Sequence, residues 1–246
     1  MPLREAFEKE GNWLFQRRSW LPTLLYPFAV AVMYFHRDSV HHYTTSEAWG
    51  VLCFLVSFAG LVVRSITIGF APQGTSGRNT EEQVAESLNQ TDIYSTVRHP
   101  LYLGNFLMWL GLFLFIGVWW FVLVCSLMYW LYYERIMFAE EEFLRRKYFS
   151  HYEDWASRTP AFLPRFSSWK ASGLPFSFKN VFKREGHGLF AIILSFTLLN
   201  AISYFIVEQR FEVDTLWKAA FALGAFIFLL LRTLRKKTKI LDVAGR

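Results

Sequence analysis

The residues able to do chemistry gather at the two ends of one apolar stretch, Thr91–Pro164. Its opening carries Arg98-His99-Pro100, then Tyr102, Gly104 and Asn105. Its far end carries Glu134-Arg135, Glu140-Glu141-Glu142, Tyr148, Tyr152 and Trp155. Proline suits the first turn of a helix, where its missing N–H costs nothing. Arg98 and His99 then stand just before a helix N-terminus, whose free N–H groups favour an anion. Gly104, one turn on, leaves room for a flat group to approach the backbone, and Asn105 offers a donor and an acceptor. The carboxylates at the far end suit a cationic or hydroxyl-rich ligand. Each box also has a plainer reading. The first would serve as a basic interfacial anchor. The second would serve as a solvated helix face paired with Arg145, Arg146 and Lys147. Glu134 and Arg135 lie nearer membrane depth, as does Arg64 in an earlier apolar run, and charge there is costly and more often functional. Snorkelling to the head groups is the alternative for such residues.

Other chemistries find no foothold. No Gly-rich phosphate loop follows a strand, and there is no Gly-x-Ser-x-Gly elbow, which argues against nucleotide-binding and hydrolase folds. His36, His41 and His42 are expected in an exposed polar loop on the opposite side of the membrane from His99 and His151, so no metal site is expected. Cys53 and Cys125 each sit inside an apolar run and read as small packing residues. No nucleic-acid partner is expected.

The elements that position the two boxes follow from composition. Hydrophobic residues make up 53% and aromatic residues 19% of 246 positions. A soluble core of this size cannot bury so much apolar surface, so an all-α integral membrane protein is expected. Six apolar runs, at 20–35, 48–70, 101–117, 118–133, 188–207 and 215–232, predict about six transmembrane helices. The third and fourth are joined only by Ile116-Gly117-Val118-Trp119 and predict a tight helical hairpin. Of the 26 Lys and Arg residues, 22 lie in segments 1–19, 71–100, 134–187 and 232–246, and two lie in 36–47, 117–119 and 208–214. The positive-inside rule therefore puts both termini and both polar boxes in the cytoplasm.

The chain is expected to be one membrane domain over 1–246. Two spans fill 20–70, a cytoplasmic segment 71–100, the hairpin and pocket region 101–165, and an extension with two spans 166–246. The first twenty residues are a polar, partly amphipathic lead-in, and no cleaved secretory signal is expected. Residues 71–79 cannot be helical because of their Pro and Gly. Thr80-Glu81-Glu82-Gln83 has the form of a capping box, with a short amphipathic helix carrying Val84, Ala85 and Leu88 after it. Residues 134–160 read as amphipathic helix, and 165–187 as an interfacial connector.

The run Thr91-x-x-Ile-Tyr-Ser-x-Val-Arg-His-Pro-Leu-Tyr-Leu-Gly-Asn, the hairpin, then Glu-Glu-x-x-Leu-x-x-x-Tyr-Phe-x-x-Tyr-x-x-Trp-x-x-x-x-Pro-x-Phe-Leu-Pro together resemble one family. It is the integral membrane methyltransferases of the isoprenylcysteine carboxyl methyltransferase and phospholipid methyltransferase group. The likeness covers about residues 88–165. Either box alone is a weak signal, and the pair at this separation is specific. The resemblance implies S-adenosylmethionine as methyl donor, bound at the cytoplasmic face. By position, Arg98, His99, Pro100, Tyr102, Gly104 and Asn105 form the first half of the donor pocket. Glu140 and Glu141 take the place of the family's Glu-Glu pair, with Glu142 left open. Tyr152 and Trp155 fall where the family has two tyrosines. In two places the sequence departs from the family. Asp92 or Ile93 replaces the usual Gly before Tyr94, and Tyr148-Phe149 replaces a Phe-Gly pair, so that turn must be built otherwise.

Methyl transfer needs the donor methyl aligned with the acceptor and water excluded, which fits a site without a catalytic triad. Arg64, Arg78, Arg98 and Arg135, with Glu134, are the candidates for positioning the acceptor. Guanidinium suits a phosphate or carboxylate and repels a protonated amine. Some bacterial relatives are similar over the run Gly69-Phe70-Ala71-Pro72 to Gly77-Arg78-Asn79-Thr80. This likeness implies a bacterial inner-membrane enzyme acting on a lipid phosphate such as the 1-phosphate of lipid A. An isoprenylcysteine-type carboxyl methyltransferase or a phosphatidylethanolamine-type N-methyltransferase is the alternative within the class. A non-catalytic membrane scaffold or transporter is the alternative outside it. Oligomeric state is left open.

Overall fold

The computed structural model describes residues 2–72, 75, 83, 85–243 and 245. Among these, regular structure is helical: α1 (Leu3–Arg17), α2 (Leu25–Phe35), α3 (Arg37–Thr44), α4 (Glu47–Phe70), α5 (Pro100–Phe115), α6 (Trp119–Tyr148), α7 (Ser150–Ala156), α8 (Phe178–Glu208) and α9 (Thr215–Lys237). Four of them, α4, α6, α8 and α9, are long and apolar enough to cross a membrane. The first and third apolar runs give shorter helices. A 3-10 turn at Leu21–Leu24 leads into the eleven residues of α2. Helix α5 has sixteen residues, about 24 Å at the usual rise. Among the described residues the protein is all-helical, with four helices of the length and apolarity of a membrane span where six spans were expected.

Between lipid-facing helices there is little hydrophobic gain, so close association relies on small residues that let backbones approach. Helices α4 and α5 pack most extensively, through Ser57, Gly60, Gly104 and Gly111. A Cβ on Gly104 would lie 2.6 Å from Arg64 Cγ and 2.8 Å from the Gly60 carbonyl oxygen. Ser57 Oγ donates to the Met108 carbonyl at 2.7 Å. Ile116-Gly117-Val118 separates α5 from α6, with Gly117 at φ +74° against the Tyr43 ring. The Tyr129 hydroxyl donates to the Tyr102 carbonyl at 2.9 Å, so residue 129 of α6 lies beside the first turn of α5. Rings of Phe115, Phe196 and Trp217 meet at 4.9–5.6 Å and join α5, α8 and α9.

Several expectations are corrected. The lead-in is the fifteen-residue helix α1, which packs along the polar half of α6. Residues 36–42 are not an open loop: α3 covers most of them, and His41 Nδ1 lies 3.0 Å from Ser203 Oγ. Residues 178–187 belong to α8, whose N-cap Ser177 accepts from the Asn180 N–H at 3.3 Å. Residues 85–90 are not helical. Thr80, Glu81, Glu82 and Val84 of the expected capping box and helix lie outside the described residues.

Candidate functional site

One cavity of about 950 Å³ lies where the ends of α4, α5, α6 and α8 meet α1 and α7. Pro100 occupies the first turn of α5, and His99 precedes it with its side chain buried. The backbone there is held from outside the helix. Arg98 N–H donates to the Pro160 carbonyl at 2.9 Å, His99 N–H to the Ala161 carbonyl at 3.2 Å, and Arg165 N–H to the Thr96 carbonyl at 2.9 Å. Residues 160–165 thus lie along the basic box.

On α6, consecutive residues point about 100° apart, so the three glutamates take different partners. Glu141 Oε1 hydrogen-bonds Arg98 Nε at 2.9 Å and His99 Nε2 at 2.8 Å. Glu140 Oε1 accepts from the Tyr102 hydroxyl at 2.7 Å, and its Oε2 lies 3.7 Å from His99 Nδ1. The imidazole is therefore held between two carboxylates. Glu142 faces away, toward Arg4 Nε at 3.0 Å and Arg145 Nη1 at 2.7 Å. Arg98 also donates to the carbonyls of Ala156 and Thr159, at 2.9 and 2.8 Å, which ties the end of α7 to this wall. Tyr152 is 1% exposed and its hydroxyl has no hydrogen-bond partner among the described residues. Burial pushes its phenol up, and the nearby Glu141 charge adds to the effect. Trp155 Nε1 donates to the Tyr94 carbonyl at 3.1 Å. Burial raises the Tyr94 phenol in the same way.

The opposite wall carries Arg64. Its Nε and Nη2 donate to the two oxygens of Glu185, each at 2.8 Å, and its Nη1 donates to Asn105 Oδ1 at 2.6 Å. Asn105 Nδ2 reaches the Tyr133 hydroxyl at 3.4 Å.

Of the residues singled out in the sequence, Arg64, Arg98, His99, Pro100, Tyr102, Asn105, Glu140, Glu141 and Tyr152 line this one cavity. Three do not. Gly104 is small because α4 passes against it, not because a ligand does. Arg135 points to α1, with Nε 3.4 Å from Glu10 and its guanidinium 3.5 Å over the Phe7 ring; Glu134 pairs with it at 3.0 Å. Depth along the chain suggested function for that pair, and packing against α1 accounts for it instead. Arg78 lies outside the described residues. The sequence reading missed Arg184, Glu185 and His187 of α8, Arg18 from the turn after α1, and Tyr94. The charged run Lys183-Arg184-Glu185 at the head of an apolar stretch was the available signal.

The two departures from the family's glycines are visible in the backbone. Asp92 has φ 52°, ψ −130°, and Phe149 has φ 49°, ψ −127°, a region that favours glycine. The turn between α6 and α7 is kept, with a side chain forced into it.

Residues 45–151 match the model of the phospholipid methyltransferase family. The likeness is to that segment of the chain. It contains Arg64, the Arg98–Asn105 box and Glu140-Glu141, and it stops before Tyr152 and α8. The nickel-cobalt-cadmium resistance protein NccN of Alcaligenes xylosoxydans xylosoxydans is 31% identical over 132 residues. The alignment takes in 53% of this chain and 59% of that protein, so the chain spans about three fifths of its relative's length. No solved structure matches.

Proposed function

We propose that this protein transfers a methyl group from S-adenosylmethionine to an anionic lipid head group, best a lipid phosphate such as the 1-phosphate of lipid A. One observation carries the reading. A single cavity joins a carboxylate–imidazole wall from the family segment to an arginine-bearing wall on long apolar helices, and continues along Ile68, Met108 and Ala191. Pockets of roughly 300–1,000 Å³ accommodate cofactor-sized ligands, so this volume suits a donor together with part of an acceptor. The residues present fit the donor. Glu140 and Glu141 offer acceptors for an ammonium or for ribose hydroxyls, and the Tyr152 hydroxyl is a buried donor awaiting a partner. Arg98, fastened through Nε and Nη1 to Glu141 and to two carbonyls, braces the carboxylate at the cavity wall. The donor supplies a sulfonium methyl, whose S–C electrons return to sulfur as a lone pair of the acceptor oxygen forms the new O–C bond. No proton need move when the acceptor is already anionic, so His99, Glu140 and Glu141 are needed to bind and align the donor and not as a base. The basic asymmetry of the sequence supports a site facing the cytoplasm of a bacterial inner membrane.

Arg64, paired with Glu185, presents only N–H donors to the acceptor side, which suits the oxygens of a phosphate or carboxylate and not the N–H groups of a protonated amine. The test uses the purified protein with isotope-labelled S-adenosylmethionine and a total lipid extract, read by mass spectrometry. Label on a phosphate-bearing lipid supports the proposal. Label on an amine overturns the acceptor assignment, and no label on any lipid overturns the enzyme reading.

A further inference from the structure

Helix α8 lies outside the family segment, yet its first turns bring Arg184, Glu185, His187 and Gly188 to the cavity. Glu185 is 5% exposed and grips Arg64 by both oxygens. A buried ion pair is a poor fastener, since well-packed apolar residues of similar volume hold two helices at least as well. Its distinctive effect is geometric. A forked carboxylate fixes the plane of a guanidinium, and Asn105 fixes it from a third side. Guanidinium has five N–H donors. Three are used here, leaving one on Nη1 and one on Nη2 for a ligand. Apolar surface continues from this point along Met108, Gly188 and Ala191 of α5 and α8.

We infer that Glu185, reaching in from α8, is the positioning residue of an acceptor subsite in which the two remaining Arg64 N–H groups hold an anionic oxygen group, a phosphate monoester or a carboxylate. This rests on the methyltransferase reading above. Glu185 also neutralises Arg64, so the group is oriented without being trapped by an unscreened cation. The subsite is built jointly by the family segment and the C-terminal extension, and acceptor choice therefore resides partly in α8.

The test compares Glu185→Gln and Arg64→Lys with the full-length wild type in nanodiscs. S-adenosylhomocysteine affinity is measured first, then methyl transfer to phosphatidic acid, to a long-chain fatty acid and to phosphatidylethanolamine, each with free inorganic phosphate as competitor. The conservative swap in Arg64→Lys keeps the charge and loses the fork. The expected result is donor affinity within about twofold of wild type in both variants, with kcat/KM for the preferred anionic lipid down about ten- to hundredfold, as for loss of one charge-assisted hydrogen bond. In Glu185→Gln the loss should fall mainly on acceptor KM. Competition by inorganic phosphate would identify a phosphate group as what the subsite reads; no competition, with the fatty acid preferred, would identify a carboxylate. Equal losses of donor affinity and acceptor turnover would mean that the pair only fastens α8, and would overturn the inference while leaving the enzyme reading intact. Preference for phosphatidylethanolamine would also overturn it. Absence of donor binding by the wild type would sink both.

Discussion

Replacing Glu141 by Gln tests the donor wall at its most connected atom. Glu141 Oε1 is the shared acceptor for Arg98 Nε at 2.9 Å and His99 Nε2 at 2.8 Å. Glutamine keeps the volume and one acceptor oxygen but removes the charge. Arg98 retains the Ala156 and Thr159 carbonyls, so no guanidinium is orphaned, and the Glu141 side chain is 21% exposed. The loss should therefore be about 1.5–3 kcal/mol, the range for hydrogen bonds to charged groups, and appear as about a ten- to hundredfold drop in S-adenosylhomocysteine affinity. Isothermal titration calorimetry on the protein in nanodiscs measures it. Glu142→Gln is the matched control. Glu142 is the next residue, more deeply buried, but bonded to Arg4 and Arg145. That variant should loosen α1 and lower thermal stability while leaving donor affinity within about twofold. Wild-type affinity in Glu141→Gln, or equal losses in both variants, would refute the assignment of the wall.

Three further outcomes are expected. Tyr152→Phe removes a buried hydroxyl with no hydrogen-bond partner among the described residues, so the ligand-free protein should be as stable as wild type or about 1 kcal/mol more so, while donor affinity falls; thermal shifts with and without S-adenosylhomocysteine give both signs. Phe149→Gly relieves the φ 49° backbone between α6 and α7 and should raise stability by up to about 1 kcal/mol after glycine's own entropy cost, read from thermal midpoints. Glu8 is held below the usual carboxylate range, first by its hydrogen bond from Arg146 at 3.0 Å. Its contribution is then complete above its unfolded value of about 4.3 and is lost as pH falls through the lower folded value. Thermal stability should therefore fall below about pH 4 by a component of less than about 1 kcal/mol, small because the pair is exposed, and Glu8→Gln should remove that component.

What could be read in the sequence was local. Arg98-His99-Pro100 announces a helix start within three residues, and Glu140-Glu141 lies within one turn, so spacing sufficed to single out the two boxes that meet in the carboxylate–imidazole wall. The glutamates could be sorted only by what surrounds α6. Helix α1 faces Glu142 and Arg135, and nothing in a polar lead-in said which way it would pack. Gly104 was misread for a related reason: small residues serve ligands and helix crossings alike, and the Gly60 contact decides between them. Arg184 and Glu185 were passed over because hydropathy begins a helix where apolar residues begin. Here α8 starts ten residues earlier, with its charged turn settled by Arg64 across 121 positions of sequence. The family's missing glycines, at Asp92 or Ile93 and at Phe149, were legible as departures, and positive φ at Asp92 and Phe149 shows the backbone keeping the turns regardless.

On the proposed function, the methyl donor sits in the Glu141–His99–Tyr152 cavity. Ultraviolet cross-linking with methyl-labelled S-adenosylmethionine, followed by peptide mapping, tests it most directly. Label should be confined to peptides spanning 94–105 and 140–155, abolished by excess S-adenosylhomocysteine and strongly reduced in Glu141→Gln. Label elsewhere in the chain, or labelling that survives competition and the Glu141→Gln change, would contradict it.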